Sequence, residues 1–235
     1  EEMSENMDLS VFEPSSKECT ILFTDVRGFT TISEGLDPKA LSDLMNNFLT
    51  PLTRVIYSHR GTIDKYMGDA MMVFFGDPES RGVREDARAC VEMALSMLER
   101  LKGLHKRWRA VGFEQPFEIR IGINTGYCNV GNFGSDQRLS YTIISGEVNL
   151  AQRLEANADV GGILMSYETY AHVQDLVEAE KRGAIQMKGI ARDVQTYAVT
   201  GRRTESSSPT FNFDHPAGVS IDLDPTVLDS HERTA

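Results

Sequence analysis

The sequence contains few of the residues that hold small extracellular folds or zinc-dependent folds together. Its three cysteines form an odd set without a Cys-x-x-Cys pair, which argues against both a disulfide framework and a tetrahedral zinc site. A reducing compartment is therefore the expected environment. None of the five histidines belongs to a His-Glu-x-x-His pattern, so the zinc-protease motif is also missing.

The chain also lacks a long apolar run and an excess of positive charge. No segment approaches the roughly 18–20 apolar residues of a membrane-spanning helix, and the N-terminus has no signal-peptide pattern. We expect a soluble, cytoplasmic fragment of a longer protein, without direct membrane contact. A parent with a sensor or membrane domain is compatible with this expectation. The net charge of −11 provides no basic surface, so no nucleic-acid partner is expected.

Composition divides the 235 residues into three parts. Residues 1–18 are acidic and polar without hydrophobic periodicity, and we interpret them as a linker from a missing N-terminal region. Residues 201–235 are rich in Ser, Pro, Gly and Asp, which predicts a flexible C-terminal tail. The periodic hydrophobic patterns are confined to 19–200, so the catalytic domain is expected there.

Within 19–200 the hydrophobic period alternates between that of strands and that of helices. Helices are predicted over 38–56, 84–108 and 147–156. Strands are predicted over 19–24, 62–67, 70–75, 117–124, 127–133, 163–166 and 196–199, and the fifth is expected to pair with the fourth. The order predicts an α+β fold of the ferredoxin-like (split βαβ) type, an antiparallel sheet with helices packed on one face. This fold hosts many functions and identifies none.

Two aspartates stand at the ends of predicted strands. Asp25 ends a hydrophobic strand and precedes a turn with Gly28, where it either holds a cation or caps the next helix. Asp69 lies in the Gly68-Asp69 turn of a predicted hairpin, where a purely structural role is an equal alternative. Because two carboxylates at neighbouring strand ends commonly hold a pair of magnesium ions, the pair is more informative than either residue.

Five other polar residues are weak signals when they are taken singly. Lys65 precedes the hairpin turn and is compatible with a solvated strand edge. Asn149 and Arg153 are four apart on a predicted helix and share a face, where they either stabilise a phosphoryl charge or form an ordinary surface pair. Arg120 lies on a predicted strand, and Lys188 precedes the last one.

These residues fall within five segments whose order and spacing match a known pattern. The segments are ILFTDVRGFT (21–30), GTIDKYMGDAMMVFFG (61–76), IRIGINTGYCNVGNFG (119–134), YTIISGEVNLAQRLE (141–155) and MKGI (187–190). They closely resemble the class III adenylate/guanylate cyclase catalytic domain. The resemblance extends through about residues 19–200, and five motifs in the same order make it specific.

The resemblance implies a role for each candidate residue. Asp25 and Asp69 match the two metal-binding aspartates, with the backbone carbonyl of Val26 as a further ligand, for two Mg²⁺ ions per site that Mn²⁺ can replace. Asn149 and Arg153 match the pair at the ribose and the transition state. The substrate-binding matches are Gly28 and Phe29 for the turn whose amides contact the triphosphate, Lys65 and Thr142 for purine selection, and Arg120 and Lys188 for the triphosphate-binding cations.

Two matched positions bear on the choice between ATP and GTP. A donor at Lys65 suits the N1 acceptor of adenine, whereas guanine carries an N1–H group that requires an acceptor such as Glu. Thr142 stands where many adenylate cyclases have Asp, and its oxygen can still accept from the adenine amino group. Threonine here resembles the subgroup that includes bicarbonate-responsive enzymes.

The resemblance therefore implies an adenylate cyclase, which converts ATP to 3′,5′-cyclic AMP and pyrophosphate. In this family the metal-binding and purine-selecting residues around one ATP come from different chains, so a homodimer is expected. Three alternatives stay open. A guanylate cyclase is disfavoured by Lys65, and a diguanylate cyclase is disfavoured because the hairpin is MGDAM rather than GGDEF or GGEEF. An inactive regulatory module is disfavoured because Asp25, Asp69 and Arg153 are all present.

Overall fold

The computed structural model describes residues 14–110, 117–135, 137–187, 190–203, 211–215 and 219–223. The chain divides into two units, Glu1–Thr200 and Gly201–Ala235. The helices are α1 (Phe29–Glu34), α2 (Pro38–Ser58), α3 (Val83–Ala110), α4 (Gly146–Asn157) and α5 (Tyr167–Val173). The strands are β1 (Ser15–Val26), β2 (Thr62–Met67), β3 (Ala70–Phe75), β4 (Ile119–Ser135), β5 (Arg138–Ile144), β6 (Ile163–Ser166), β7 (Val177–Met187), β8 (Ile190–Arg202), β9 (Phe211–His215) and β10 (Val219–Leu223).

Local chemistry explains where the predicted elements begin and end. The Asp37 carboxylate accepts hydrogen bonds from the backbone N–H groups of Lys39 at 3.0 Å and Ala40 at 3.1 Å, which caps α2. Pro38 follows in the first turn, where its missing N–H costs nothing. The bounds of β2, β3 and β6 agree with the prediction, because each is a short run enclosed by turn residues.

The large sheet has the strand order β2-β3-β1-β4-β6-β8-β7, and β5 pairs with β4 outside this path. Strand β1 lies between β3 and β4 and is antiparallel to both, whereas β4 and β6 are parallel. The order β2-β3-β1-β4, with helices in the connections, is that of a split βαβ unit. The predicted ferredoxin-like α+β fold is therefore confirmed.

Alternate residues of β1 belong to two hydrophobic cores on opposite faces of the sheet. Leu22 packs in the larger core with α2, α3 and α5, whereas Ile21 and Phe23 pack in a smaller core with Ala151 of α4. The prediction that the helices pack on one face of the sheet is correct for α2, α3 and α5. Helix α4 packs on the opposite face. It lies very close to β4, because a Cβ at Gly122 would stand 2.0 Å from the backbone nitrogen of Glu155.

The strand over residues 119–135 differs from the prediction. Separate, mutually paired strands over 117–124 and 127–133 are wrong: β4 is one continuous strand, and its second half pairs with β5. The physical reason lies at Gly126, between the two predicted strands. A Cβ there would stand 2.7 Å from the side chain of Glu147 on α4, so the glycine allows close packing rather than a chain reversal.

The second unit contains a two-stranded antiparallel sheet formed by β9 and β10. The composition of residues 201–235 does not predict this hairpin. At the other end, β1 begins at Ser15 and therefore includes the last residues of the predicted linker. Among the helices in the described part of the chain, none combines the length and the apolarity needed to cross a bilayer.

Candidate active site

Asp25 lies at the C-terminal end of β1, beside Val26, whose side chain is buried in the larger core. The backbone then turns through Gly28, which has a left-handed conformation with φ of 72° and precedes α1. Among the described residues no side chain caps the N-terminus of α1, so the alternative in which Asp25 caps this helix is wrong. The Asp25 side chain is 31% exposed, which leaves it accessible to a ligand.

Asp69 follows Gly68 in the hairpin turn between β2 and β3. Its Oδ2 accepts a hydrogen bond from the backbone N–H of Val26 at 3.3 Å, which holds it beside the end of β1. The pKa of Asp69 is raised to about 6, first by burial and then by the hydrogen bond and charge of Asp25. The two carboxylates are therefore neighbours, although they come from separate segments of the chain.

Two adjacent carboxylates that repel one another are a suitable site for a divalent cation. A bound cation would offset the burial and repulsion that raise the pKa of Asp69. Within the ranges that the structure describes, no three Asp, Glu, His or Cys side chains are grouped to hold a metal ion. The other ligands would then be backbone and phosphate oxygens, and an all-oxygen set suits Mg²⁺ or Mn²⁺.

Arg120 stands opposite Asp25 in the β1–β4 register. Its Nη2 lies 3.3 Å from Asp25 Oδ2 and 2.8 Å from Glu155 Oε1, while Nη1 donates to the carbonyl of Ala156 at 3.1 Å. The positively charged guanidinium of Arg120 is thus held beside the carboxylate pair. Glu155 has no predicted role, although it ends the segment YTIISGEVNLAQRLE. Burial raises the pKa of Glu155, and the charge of Arg120 opposes that shift.

Lys65 and Thr142 come from different strands, β2 and β5, and meet in the folded chain. The Nζ of Lys65 donates to Thr142 Oγ1 at 3.5 Å and lies 3.0 Å from Asp64 Oδ2. The side chain of Asp64 is fully buried, whereas that of Lys65 is 48% exposed. One charged donor and one hydroxyl oxygen side by side can bind the polar edge of a purine base.

Asn149 and Arg153 both lie on α4 with exposed side chains. In the described part of the chain, neither side chain makes a hydrogen bond or ion pair. The ring of Phe29 packs against that of Phe117, with centroids 6.2 Å apart, so its backbone rather than its side chain is available to a ligand. Lys188 lies outside the described residues.

Large apolar side chains are exposed on the two strands that carry Lys65 and Thr142. They are Tyr66 (45% exposed) and Met67 (39%) on β2, and Leu139 (55%), Tyr141 (41%) and Ile144 (51%) on β5. Apolar groups concentrated in this way are commonly covered by a partner molecule.

Residues 11–201 match the family model for the adenylate and guanylate cyclase catalytic domain. Adenylate cyclase 1 of Rhizobium meliloti is 35% identical over 187 residues, which cover 79% of this chain and 28% of the relative. Retinal guanylyl cyclase 1 of Bos taurus is 33% identical over 190 residues, which cover 80% of this chain and 17% of the relative. The chain therefore spans less than a third of either relative's length.

Solved structures give the same result. The adenylyl cyclase CyaB from P. aeruginosa superposes with a TM-score of 0.78 at 49% identity, covering 81% of this chain and 97% of that one. The guanylyl cyclase Cya2 superposes with a TM-score of 0.76 at 35% identity, covering 83% and 98%. Similar proteins thus include both base specificities. The fold, the motifs and these similarities together show that the chain belongs to the class III adenylate and guanylate cyclase catalytic domain family.

Proposed function

We propose that this domain is an adenylate cyclase, which converts ATP to 3′,5′-cyclic AMP and pyrophosphate. The observation that carries the proposal is the contact between Lys65 and Thr142 at 3.5 Å. A lysine donor suits N1 of adenine, and the threonine oxygen can accept from the adenine amino group. Guanine would instead oppose its N1–H to the lysine, leaving two donors without an acceptor.

The carboxylates of Asp25 and Asp69, with the carbonyl of Val26, would hold two Mg²⁺ ions, which Mn²⁺ could replace. When bound, the ions lower the pKa of the ribose 3′-hydroxyl and offset the phosphate charge. The proximity of the two carboxylates and the raised pKa of Asp69 support this assignment.

The remaining residues bind and orient the triphosphate. We assign the backbone N–H groups of Gly28 and Phe29 to phosphate oxygens, and Arg120 and Lys188 to the leaving pyrophosphate. Because Glu155 already holds Arg120 beside Asp25, this cation needs little reorganisation to meet negative charge there.

The chemical step is an in-line displacement at the α-phosphorus. The ribose 3′-oxygen forms the new bond to phosphorus, the bond to the pyrophosphate oxygen breaks, and the hydroxyl proton passes to solvent. Arg153 would stabilise charge on the α-phosphate while Asn149 orients the ribose. The protein therefore positions groups and forms no covalent bond.

Two chains would form each site. Arg153 is exposed and forms no ion pair with Asp25 in the described part of the chain, so in this proposal it serves an ATP held by the aspartates of a second copy. A two-fold symmetric dimer then carries two equivalent sites. The exposed apolar side chains on β2 and β5 support an interface at these strands.

We place the domain in the cytoplasm, as a soluble unit or as the cytoplasmic part of a membrane protein. Cys19, Cys90 and Cys128 are free and buried, as is usual in a reducing compartment.

The proposal is tested by incubating the protein with ATP or GTP and Mg²⁺ or Mn²⁺ and separating the products by chromatography. We expect cyclic AMP and pyrophosphate from ATP, with a kcat/KM at least about tenfold above that for GTP, as a mismatched hydrogen bond would require. Mainly cyclic GMP would show a guanylate cyclase. No product from either nucleotide would show an inactive module.

A further inference from the structure

Asp77 lies two residues after the end of β3 and carries a buried carboxylate, although aspartate is usually exposed. Asp77 is 6% exposed, and its Oδ1 forms an ion pair with Lys17 Nζ at 2.5 Å. Its Oδ2 accepts a hydrogen bond from the Tyr141 hydroxyl at 2.5 Å. Its backbone carbonyl accepts from Thr62 Oγ1 at 2.8 Å. We call these four residues the Asp77 cluster.

The cluster joins three strands to the end of β3. Lys17 belongs to β1, Thr62 is the first residue of β2, and Tyr141 lies near the middle of β5. Tyr141 immediately precedes Thr142, and Thr62 begins the strand that carries Lys65. One buried residue thus binds both of the strands that hold the purine-selecting pair.

Charge and protonation in the cluster are mutually consistent. A buried carboxylate is costly unless it is paired, and Lys17 supplies the opposite charge to Asp77. The pKa of Tyr141 is raised, first by burial and then by the hydrogen bond and charge of Asp77, so the phenol remains a donor. Replacing the phenol by Phe would remove this donor while keeping the ring.

The position of β5 depends on such contacts because its backbone pairs with β4 alone among the described strands. The contact between Lys65 and Thr142, at 3.5 Å, is at the limit of a hydrogen bond and is too weak to set the spacing of the two strands. The hydrogen bond from Tyr141 to Asp77 is much shorter and involves an ionised acceptor, so it is the stronger restraint.

We infer that Asp77 and Tyr141 are positioning residues that hold β5 at the distance from β2 that adenine recognition requires. This inference rests on the proposed role of Lys65 and Thr142 in base selection. Neither positioning residue needs to touch the nucleotide. Loss of the phenol hydroxyl should loosen β5 and weaken the discrimination between ATP and GTP.

The test compares wild type with Tyr141→Phe, Asp77→Asn and the double variant. We expect the KM for ATP to rise about five- to tenfold in Tyr141→Phe, with kcat changed less than about twofold, because the lost hydrogen bond orients β5 for binding rather than for the chemical step. The ATP-to-GTP ratio of kcat/KM should fall with it. The double variant should lose no more selectivity than the more affected single variant, because the two residues share one hydrogen bond.

Hydrogen exchange provides a second measurement that does not depend on turnover. Amides of residues 138–144 should exchange faster in Tyr141→Phe than in wild type, because β5 opens more often. Tyr170→Phe is the matched control. Tyr170 lies on α5, which carries no residue of the Asp77 cluster, and stacks on Tyr197 with ring centroids 4.1 Å apart. Loss of its hydroxyl should change neither β5 exchange nor selectivity.

The outcomes separate this inference from the proposed function. Unchanged exchange in β5 overturns it, and so does faster exchange with an unchanged ATP-to-GTP ratio, since the pair would then only stabilise the fold. If Lys65→Glu alters the ratio and Tyr141→Phe does not, the inference fails while the proposed function stands. A wild-type protein that makes neither cyclic nucleotide overturns the proposed function, and exchange alone then decides whether Asp77 holds β5.

Discussion

Lys65 and Thr142 are 77 residues apart in the sequence, and the folded chain brings the lysine Nζ to 3.5 Å from the threonine Oγ1. A hairpin strand supplies the first residue and the strand β5 supplies the second. Their proximity gives the domain a donor and an acceptor in one place, which is the minimum needed to distinguish adenine from guanine.

Replacing the hydrogen-bond donor at position 65 by an acceptor should change the preferred base. Lys65→Glu, combined with a matching change at Thr142, should lower the ATP-to-GTP ratio of kcat/KM by about one to two decades, because loss of a buried hydrogen-bond partner costs about 1–3 kcal/mol. The measurement is the initial rate of each cyclic nucleotide over a range of substrate concentrations. Lys102→Glu, on the exposed side of α3, is the charge-matched control. An unchanged ratio would show that Lys65 does not select the base.

The two carboxylates at the strand ends should be essential for turnover but not for folding. Asp25→Ala and Asp69→Ala should each lower cyclic AMP formation by at least about a thousandfold, because each would remove a ligand of the proposed metal site. Gel filtration should show the same dimer as wild type. Asp43→Ala removes an exposed carboxylate from α2 and should keep full activity. If both site variants keep more than about a tenth of the wild-type rate, the two-metal assignment is wrong.

The raised pKa of Asp69 predicts that the ionised carboxylate, which would bind metal, lowers the stability of the metal-free protein. Because the folded-state pKa is about 6 against an ordinary 3.8, ionisation of Asp69 disfavours the folded state, and this penalty develops as pH rises through that range. In EDTA, Asp69→Asn should therefore raise Tm relative to wild type at pH 8 and have little effect at about pH 4.

Thermal unfolding by circular dichroism measures this difference. Added Mg²⁺ should raise the Tm of wild type at pH 8 and should raise that of Asp69→Asn much less, since bound ligand stabilises the folded state. Asp43→Asn is the control and should show no such dependence on pH or metal. A stabilising effect of Asp69→Asn that is equal at both pH values would contradict the electrostatic cause.

Close packing between β4 and α4 should make Gly122 irreplaceable. A Cβ at Gly122 would stand 2.0 Å from the backbone nitrogen of Glu155 and 2.3 Å from the carbonyl oxygen of Ala151, so the helix must move. Gly122→Ala should lower the free energy of unfolding by at least about 3 kcal/mol, the upper range for overpacking. Activity should fall with it because α4 carries Asn149 and Arg153.

Gly103→Ala is the matched control for this substitution. Gly103 lies in α3 with nothing within 4 Å of an added Cβ, so alanine should stabilise the helix by about 0.5–1 kcal/mol. Urea unfolding of both variants gives the comparison. Equal stability of Gly122→Ala and wild type would show that α4 is not held against β4 as closely as described.

The fold was predictable where local signals agree. The hairpin of β2 and β3 follows from two short hydrophobic runs around Gly68, and the start of α2 follows from Asp37 and Pro38. The continuity of β4 was not predictable from the sequence. Gly126 is compatible either with a turn or with close packing of the strand against a helix, and only the position of α4 decides between them.

The site shows the same division. Asp25 follows a hydrophobic run, Asp69 lies in a hairpin turn, and both belong to motifs shared with a family. Glu155 ends one of these motifs and Asp77 follows another, but their roles depend on Arg120 and Tyr141, which are distant in the sequence. A buried carboxylate can be recognised only when its partners are known.

The claim that one ATP is held between two chains is tested most directly by mixing two inactive variants. Homodimers of Asp25→Ala and of Arg153→Ala should each make almost no cyclic AMP. After subunit exchange, shown by co-purification of differently tagged chains, a mixed dimer contains one site with both residues intact. About half of the dimers are then mixed, so recovery should approach about a quarter of the wild-type rate. Demonstrated exchange without any recovery of cyclic AMP formation would contradict the shared site.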